Sequence, residues 1–250
     1  MLVRVAGALA VALSLTLGAP AALAATEDPA YAAFFEGRYL EALKLAKEAA
    51  ERGEAQAPTL IGRIYSEGLG VPQDKVKAAE WYAAGVERGD RDAQSALGMM
   101  RLTGDGIGKN IPQAAALLEL AAEQDHAEAA YNLALLHIKG EGVAFDLERA
   151  AALFQQAAEM GNAPAQYDLG ALYAAGEGVP PDPEKAAYWT GKAAEAGLPD
   201  AQLDYAIMLI QGRGVEKDHD QGLAMLKAAA ENGNPVAQNR LARVLAYGVE

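Results

Sequence analysis

The chain has 250 residues, 52% of them apolar, with 34 acidic against 21 basic side chains and no cysteine. That apolar content, with 22% charged residues, excludes a wholly disordered chain. A formal charge of −13 argues against nucleic acid, whose phosphates need clustered Lys and Arg to displace counterions. Zero cysteine removes disulfides, thiol nucleophiles, iron–sulfur clusters and cysteine-ligated zinc.

The first element reads as a secretory signal over residues 1–24. Arg4 supplies a positive start, Val5 to Leu17 carries no charge, and the small residues Ala21 to Ala25 offer a cleavage site after Ala24. The uncharged run is shorter than the ~20 residues of a membrane span, and no later stretch is long and apolar enough to anchor the chain. The expectation is a soluble monomer exported to the periplasm or outside the cell. Residues 25–56 follow as N-terminal capping helices. Tyr31, Phe34, Phe35, Tyr39, Leu40, Leu43 and Leu45, broken by Gly37, suit a helix pair that covers the open apolar face of the next unit.

A repeat then governs residues 57–250. Alanines stand 36 residues apart at 57, 93, 129, 165, 201 and 237. A glycine pair follows each at fixed distance, as in Gly68 and Gly70 or Gly176 and Gly178, and then an Asp or Asn: Asp74, Asn110, Asp146, Asp182, Asp218. A fixed period of this length means a solenoid or array. The units are 57–92, 93–128, 129–164, 165–200 and 201–236, with a partial copy at 237–250. Each decodes as two helices, here called A and B. Helix A carries an amphipathic stripe, in the fourth copy Ala165, Leu169, Gly170 and Tyr173. The first glycine suits a left-handed helix end, and the Asp or Asn caps helix B. Larger groups, Trp81-Tyr82, Leu117-Leu118, Leu153-Phe154, Trp189 and Met225-Leu226, give helix B its packing face. Copy six ends at Glu250, after its first helix, so the pattern predicts a chain cut short at this end.

The pattern A-x-Y-x-L-G-x-x-Y-x-x-G-x-G-V-x-x-D followed by K-A-x-x-W resembles the Sel-1-like repeat, a relative of the tetratricopeptide repeat. Copy four supplies Ala165, Tyr167, Leu169, Gly170, Tyr173, Gly176, Gly178, Val179, Asp182, Lys185, Ala186 and Trp189. Arg101, His137, Leu209 and Leu245 replace the second tyrosine, and Met225 replaces the tryptophan. The resemblance implies an all-α fold, a right-handed α/α superhelical solenoid of helix–turn–helix repeats, whose work is non-covalent and whose partners are proteins. No cofactor or metal is expected.

Motifs for chemistry are weak. Gly104 to Lys109 looks like a phosphate loop, but Asn110 stands where Ser or Thr is needed, and the segment follows a helix rather than a strand. His126 sits in a turn after a second helix, His219 in the first turn of another, and His137 in a tyrosine slot, so the three make no metal set. Past the signal the only serines, Ser66 and Ser95, lie outside G-x-S-x-G and S-x-x-K. Glu87, Glu123, Glu159, Glu195 and Glu231 recur near the ends of the B helices, where a carboxylate opposes the helix dipole. Two readings stand: each glutamate accepts from amides opening the next A helix, or duplication alone carried it along.

In tetratricopeptide-like arrays the A helices line the concave side. Offsets that vary while the stripe stays fixed nominate Asn132, Leu135, Lys139, Asp168, Asp204, Gln211, Arg240 and Arg243 as partner-binding residues. A mixed lining of this kind suits an extended peptide or a helix. The leading expectation is a non-catalytic periplasmic or secreted adaptor. A glycan- or peptidoglycan-binding protein is the alternative, and it needs Trp81 or Trp189 at the surface although their repeat positions predict burial. A β-lactamase-like hydrolase is the third reading, and it lacks both S-x-x-K and the cysteines of some relatives.

Overall fold

The computed structural model describes residues 28–247; the expected signal at 1–24 and the last three residues of the partial copy lie outside them. The described residues form thirteen α-helices and no strand. In chain order these are α1 (Pro29–Phe35), α2 (Tyr39–Glu51), α3 (Ala57–Glu67), α4 (Lys75–Glu87), α5 (Arg91–Thr103), α6 (Ile111–Ala122) and α7 (Ala127–Lys139). Then follow α8 (Leu147–Glu159), α9 (Ala163–Ala175), α10 (Pro183–Glu195), α11 (Pro199–Gln211), α12 (His219–Glu231) and α13 (Pro235–Tyr247). From α3 onward odd numbers are A helices and even numbers B helices. Two compact units divide them: an N-terminal unit of described residues 28–129 with 141–143, and a C-terminal unit of 130–140 with 144–247.

The turn inside each repeat forms for two reasons. The first glycine ends helix A in the left-handed region, with φ of 71° at Gly68, 72° at Gly176 and 68° at Gly212. A side chain pays a steric penalty there, and glycine does not. The second glycine is held to its identity by contact as well. A Cβ on Gly214, at φ 73°, would lie 1.9 Å from the Pro183 carbonyl oxygen at the start of the preceding B helix. Helix B then opens on its cap. Asp74, Asn110, Asp146, Asp182 and Asp218 each accept from a backbone N–H of the first turn.

The start of helix A differs from the sequence reading. From α5 onward the A helices begin two residues before the repeat alanine, and the turn residue ahead of them caps the helix with its side chain in every copy but α11, where Leu198 makes no such bond. Asp90 accepts from the Ala93 N–H at 2.7 Å, Asn162 from Ala165 at 2.9 Å and Asn234 from Ala237 at 2.8 Å. His126 does the same through Nδ1, accepting from Ala129 N–H at 3.2 Å. Of the two readings of the recurring glutamates, these bonds speak against the one in which the glutamate accepts from amides of the next A helix. All five are exposed; Glu159 accepts from Gln155 on its own helix, while Glu195 and Glu231 pair with Lys192 and Lys227 on theirs. Except after Glu195, where Leu198 has no acceptor, the residue three places further on takes the amide the glutamate was expected to bind.

The core draws large side chains from both helices of the repeat, with alanines and glycines between them. In the N-terminal unit Leu60, Ile61, Ile64 and Leu118 are shut from water, and in the C-terminal unit Phe154, Leu169, Leu172 and Leu209 are. Each such side chain contributes about 1.5–3 kcal/mol by leaving water. The small residue at the fifth step of helix A lets B approach. A Cβ on Gly62 would meet the Tyr82 ring at 2.7 Å, and one on Gly170 would meet Thr190 Oγ1 at 2.6 Å.

Candidate functional site

All eight residues nominated for partner binding fall in the C-terminal unit, on its A helices α7, α9, α11 and α13. Lys139, Gln211, Arg240 and Arg243 are exposed, whereas Asn132, Leu135, Asp168 and Asp204 are half-buried. That split separates two jobs.

Asp168 and Asp204 serve the fold. Tyr167 on α9 donates its hydroxyl to Asp204 Oδ2 on α11 at 2.7 Å. One repeat earlier, Tyr131 on α7 donates to Asp168 on α9 in the same manner. Each bond ties one A helix to the next. Burial pushes the Asp168 carboxyl up to about 6, and the Tyr131 hydroxyl offsets only part of that shift. Both tyrosine hydroxyls are pushed up, chiefly by burial and then by the carboxylates beside them. A phenol that stays protonated remains a donor throughout the physiological range.

Gln211, Arg240 and Arg243 come together elsewhere. With Ala206, Ile207, Ile210, Leu226 and Val244 they line a cleft of about 490 Å³ between α11, α12 and α13. Ile207 and Ile210 lie along α11, and Arg240, Arg243 and Val244 follow one face of α13 at steps of three and one. Leu226 of α12, itself 4% exposed, belongs to both the cleft and the core beneath it. The volume lies within the range of sites that hold a small ligand or several side chains. Asn132, Leu135, Lys139, Asp168 and Asp204 do not line it.

Two features escaped the sequence reading. Gln166, Gln202 and Gln238, one step after the repeat alanine, each donate to the carbonyl at the end of the preceding B helix: Ala158, Ala194 and Ala230, at 3.0, 3.2 and 3.0 Å. Their recurrence at one offset was the available signal. The side-chain oxygen of Gln202 accepts from Asn232 at 2.9 Å, and that of Gln94 from Gln124 at 2.8 Å. Gln166 has Ala196 at the corresponding place, and its buried Oε1 has no partner. The second feature concerns the tryptophans. Trp81 and Trp189 are half-buried rather than enclosed, and Tyr188, 56% exposed, meets the Trp189 ring edge-on at 4.9 Å.

Among the described residues no group of three or more His, Asp or Glu could hold a metal, and no helix is long and apolar enough to cross a membrane. His126 is committed to its cap, and His137 Nδ1 lies 3.1 Å from the Ala144 carbonyl across the repeat's turn. Lys75 Nζ donates to Ser66 Oγ at 3.2 Å and lies 2.9 Å from Asp105 Oδ2.

Capped helix pairs, glycine turns and bonds from each A helix to the next define an all-α repeat solenoid. The Sel1 repeat model matches residues 39–54, 57–90, 91–126, 127–162, 163–198 and 199–234. The chain belongs to the Sel1 repeat family. From residue 91 the matched units begin where the A helices begin, and the first match falls in the segment read as a cap. Among solved structures, a Sel1 repeat protein from Oxalobacter formigenes is 32% identical, with a TM-score of 0.77 over 92% of this chain and 90% of that one. The protein c5321 of uropathogenic Escherichia coli, described as a protective antigen with an SLR fold, is 32% identical, with a TM-score of 0.80 over 91% of this chain and 51% of its own. No curated protein matches the chain. The family fold is a scaffold that typically serves protein interaction.

Proposed function

We propose that the protein is a non-catalytic adaptor, exported to the periplasm or beyond, that holds a protein or peptide partner on the A-helix face of its C-terminal unit. The cleft between α11, α12 and α13 carries this reading: apolar walls open beside the exposed Gln211, Arg240 and Arg243, which among the described residues form no side-chain hydrogen bond or ion pair. The uncharged run near the N-terminus supports export. The test is retention of a partner from an envelope extract of the source cells by immobilised protein. Gln211→Trp places bulk at the exposed rim, and Ile207→Gln makes one wall polar. A protein held by the parent and lost from both variants, with melting temperatures preserved, supports the reading. A partner held equally by all three contradicts the placement, and retention of none contradicts the adaptor.

A second reading rests on one observation. On α10 the exposed Tyr188 meets the half-buried Trp189, and a sugar ring could stack upon the tyrosine face. Quenching of tryptophan emission by peptidoglycan fragments, abolished in Tyr188→Ala, would favour it.

A further inference from the structure

Resting on the adaptor reading, we infer that the cleft selects an acidic partner segment, one that places an apolar side chain between Ile207, Ile210, Leu226 and Val244 while a neighbouring Asp or Glu pairs with Arg240 and Arg243. Charge carries the argument. The chain has 34 acidic against 21 basic residues, so its arginines have carboxylates to spare. Arg38, Arg63 and Arg91 each pair with one. Arg240 and Arg243 are exposed and, among the described residues, form no ion pair. Asp204, on the neighbouring α11, is engaged by Tyr167.

The two arginines are three residues apart on one helix, so their guanidinium groups share a face. A guanidinium offers a fork of N–H donors that matches a carboxylate, and such charge-assisted bonds are roughly twice as strong as neutral ones. Beside them, Ile207, Ile210 and Val244 are half-buried, and Leu226 closes the floor. Apolar surface with cations at its margin fits a segment in which hydrophobic and acidic residues adjoin. An overall charge of −13 would by itself favour basic partners. Preference for an acidic segment is therefore an effect that local arginines must supply against the field of the whole chain.

The experiment is selection of a random displayed-peptide library on the purified protein and on the Arg240→Gln, Arg243→Gln double variant. Both positions are exposed, and circular dichroism checks that the variant keeps its helices. The expected winners on the parent carry Asp or Glu beside Leu, Ile or Phe and bind the double variant about tenfold more weakly, a loss of ~1.4 kcal/mol. Neutral or basic winners overturn the acidic preference while leaving a peptide-binding face in place. Acidic winners that bind both proteins equally overturn the assignment to these arginines. Failure of any peptide to enrich contradicts both the inference and the adaptor reading beneath it.

Discussion

The N-terminal and C-terminal units build the same repeat with different chemistry at the same place. Ahead of the A helices the N-terminal unit uses ionisable caps, Asp90 and His126, with Asp92 and Glu128 close by. The C-terminal unit uses the amides Asn162 and Asn234, which satisfy the same backbone donor and do not titrate. Its strongly shifted carboxyl is Asp168, on the A-helix face itself. One backbone requirement, an acceptor for the amide at the repeat alanine, is thus met by three side-chain types and left without a side-chain acceptor at Leu198, and the choice of type decides whether the cap makes stability depend on pH.

The largest expected effect belongs to His126. Burial, and then the Arg91 charge, lower its pKa to about 4 from an ordinary value of 6.5. The folded state keeps the ring neutral while the unfolded chain takes up a proton, so stability falls as pH drops from about 6.5 to about 4. Burial raises Asp90, Asp92 and Glu128 in the same neighbourhood, with slopes of opposite sign. The measurement is therefore a difference between variant and parent. His126→Asn, which copies the cap of the other unit, should remove a loss on the order of 2 kcal/mol between pH 8 and pH 5. Urea unfolding at both pH values reads it. Parallel pH dependences in the two proteins would contradict a neutral His126 cap.

Asp168 has the opposite sign. A carboxyl raised to about 6 in the fold binds protons that the unfolded chain releases, so stability falls as pH rises from about 4 to about 6 and stays low above that. Asp168→Asn keeps an acceptor for Tyr131 and should raise stability at pH 8 by about 1–2 kcal/mol, with little change at pH 4. Equal unfolding midpoints at pH 8 would contradict it.

The smallest effect tests the repeat's polar bonding. Ala196 stands where Asn232 and Gln124 complete a glutamine, so Ala196→Asn should give the buried Gln166 oxygen a donor and add about 1 kcal/mol. An unchanged or lowered melting temperature would show that the site does not behave as its counterparts do.

These pairings explain what could be read from the sequence. The glycine turns and B-helix caps were legible because each depends on one residue type at one offset: a left-handed turn wants glycine, and a first turn wants Asp or Asn. The A-helix cap was not, since His126 and Leu198 interrupt the Asp and Asn at that turn position, and the helix was expected to start at the alanine rather than two residues before it. Nor was the division of the partner face. Asp168, Asp204, Arg240 and Arg243 all appeared as varying polar positions on A helices, and only the hydroxyls of Tyr131 and Tyr167 distinguish the aspartates that tie repeats together from the arginines left for a ligand. Burial of Trp189 was overestimated because repeat position fixes which way a side chain points, while its cover depends on neighbours that differ among copies.

The central claim is that partner contact falls on the C-terminal unit, at α11 and α13. Amide hydrogen exchange with and without the retained partner tests it most directly. Slowed exchange concentrated in residues 199–211 and 235–247 is the predicted result. Protection confined to the N-terminal unit, with these two helices unchanged, would contradict it.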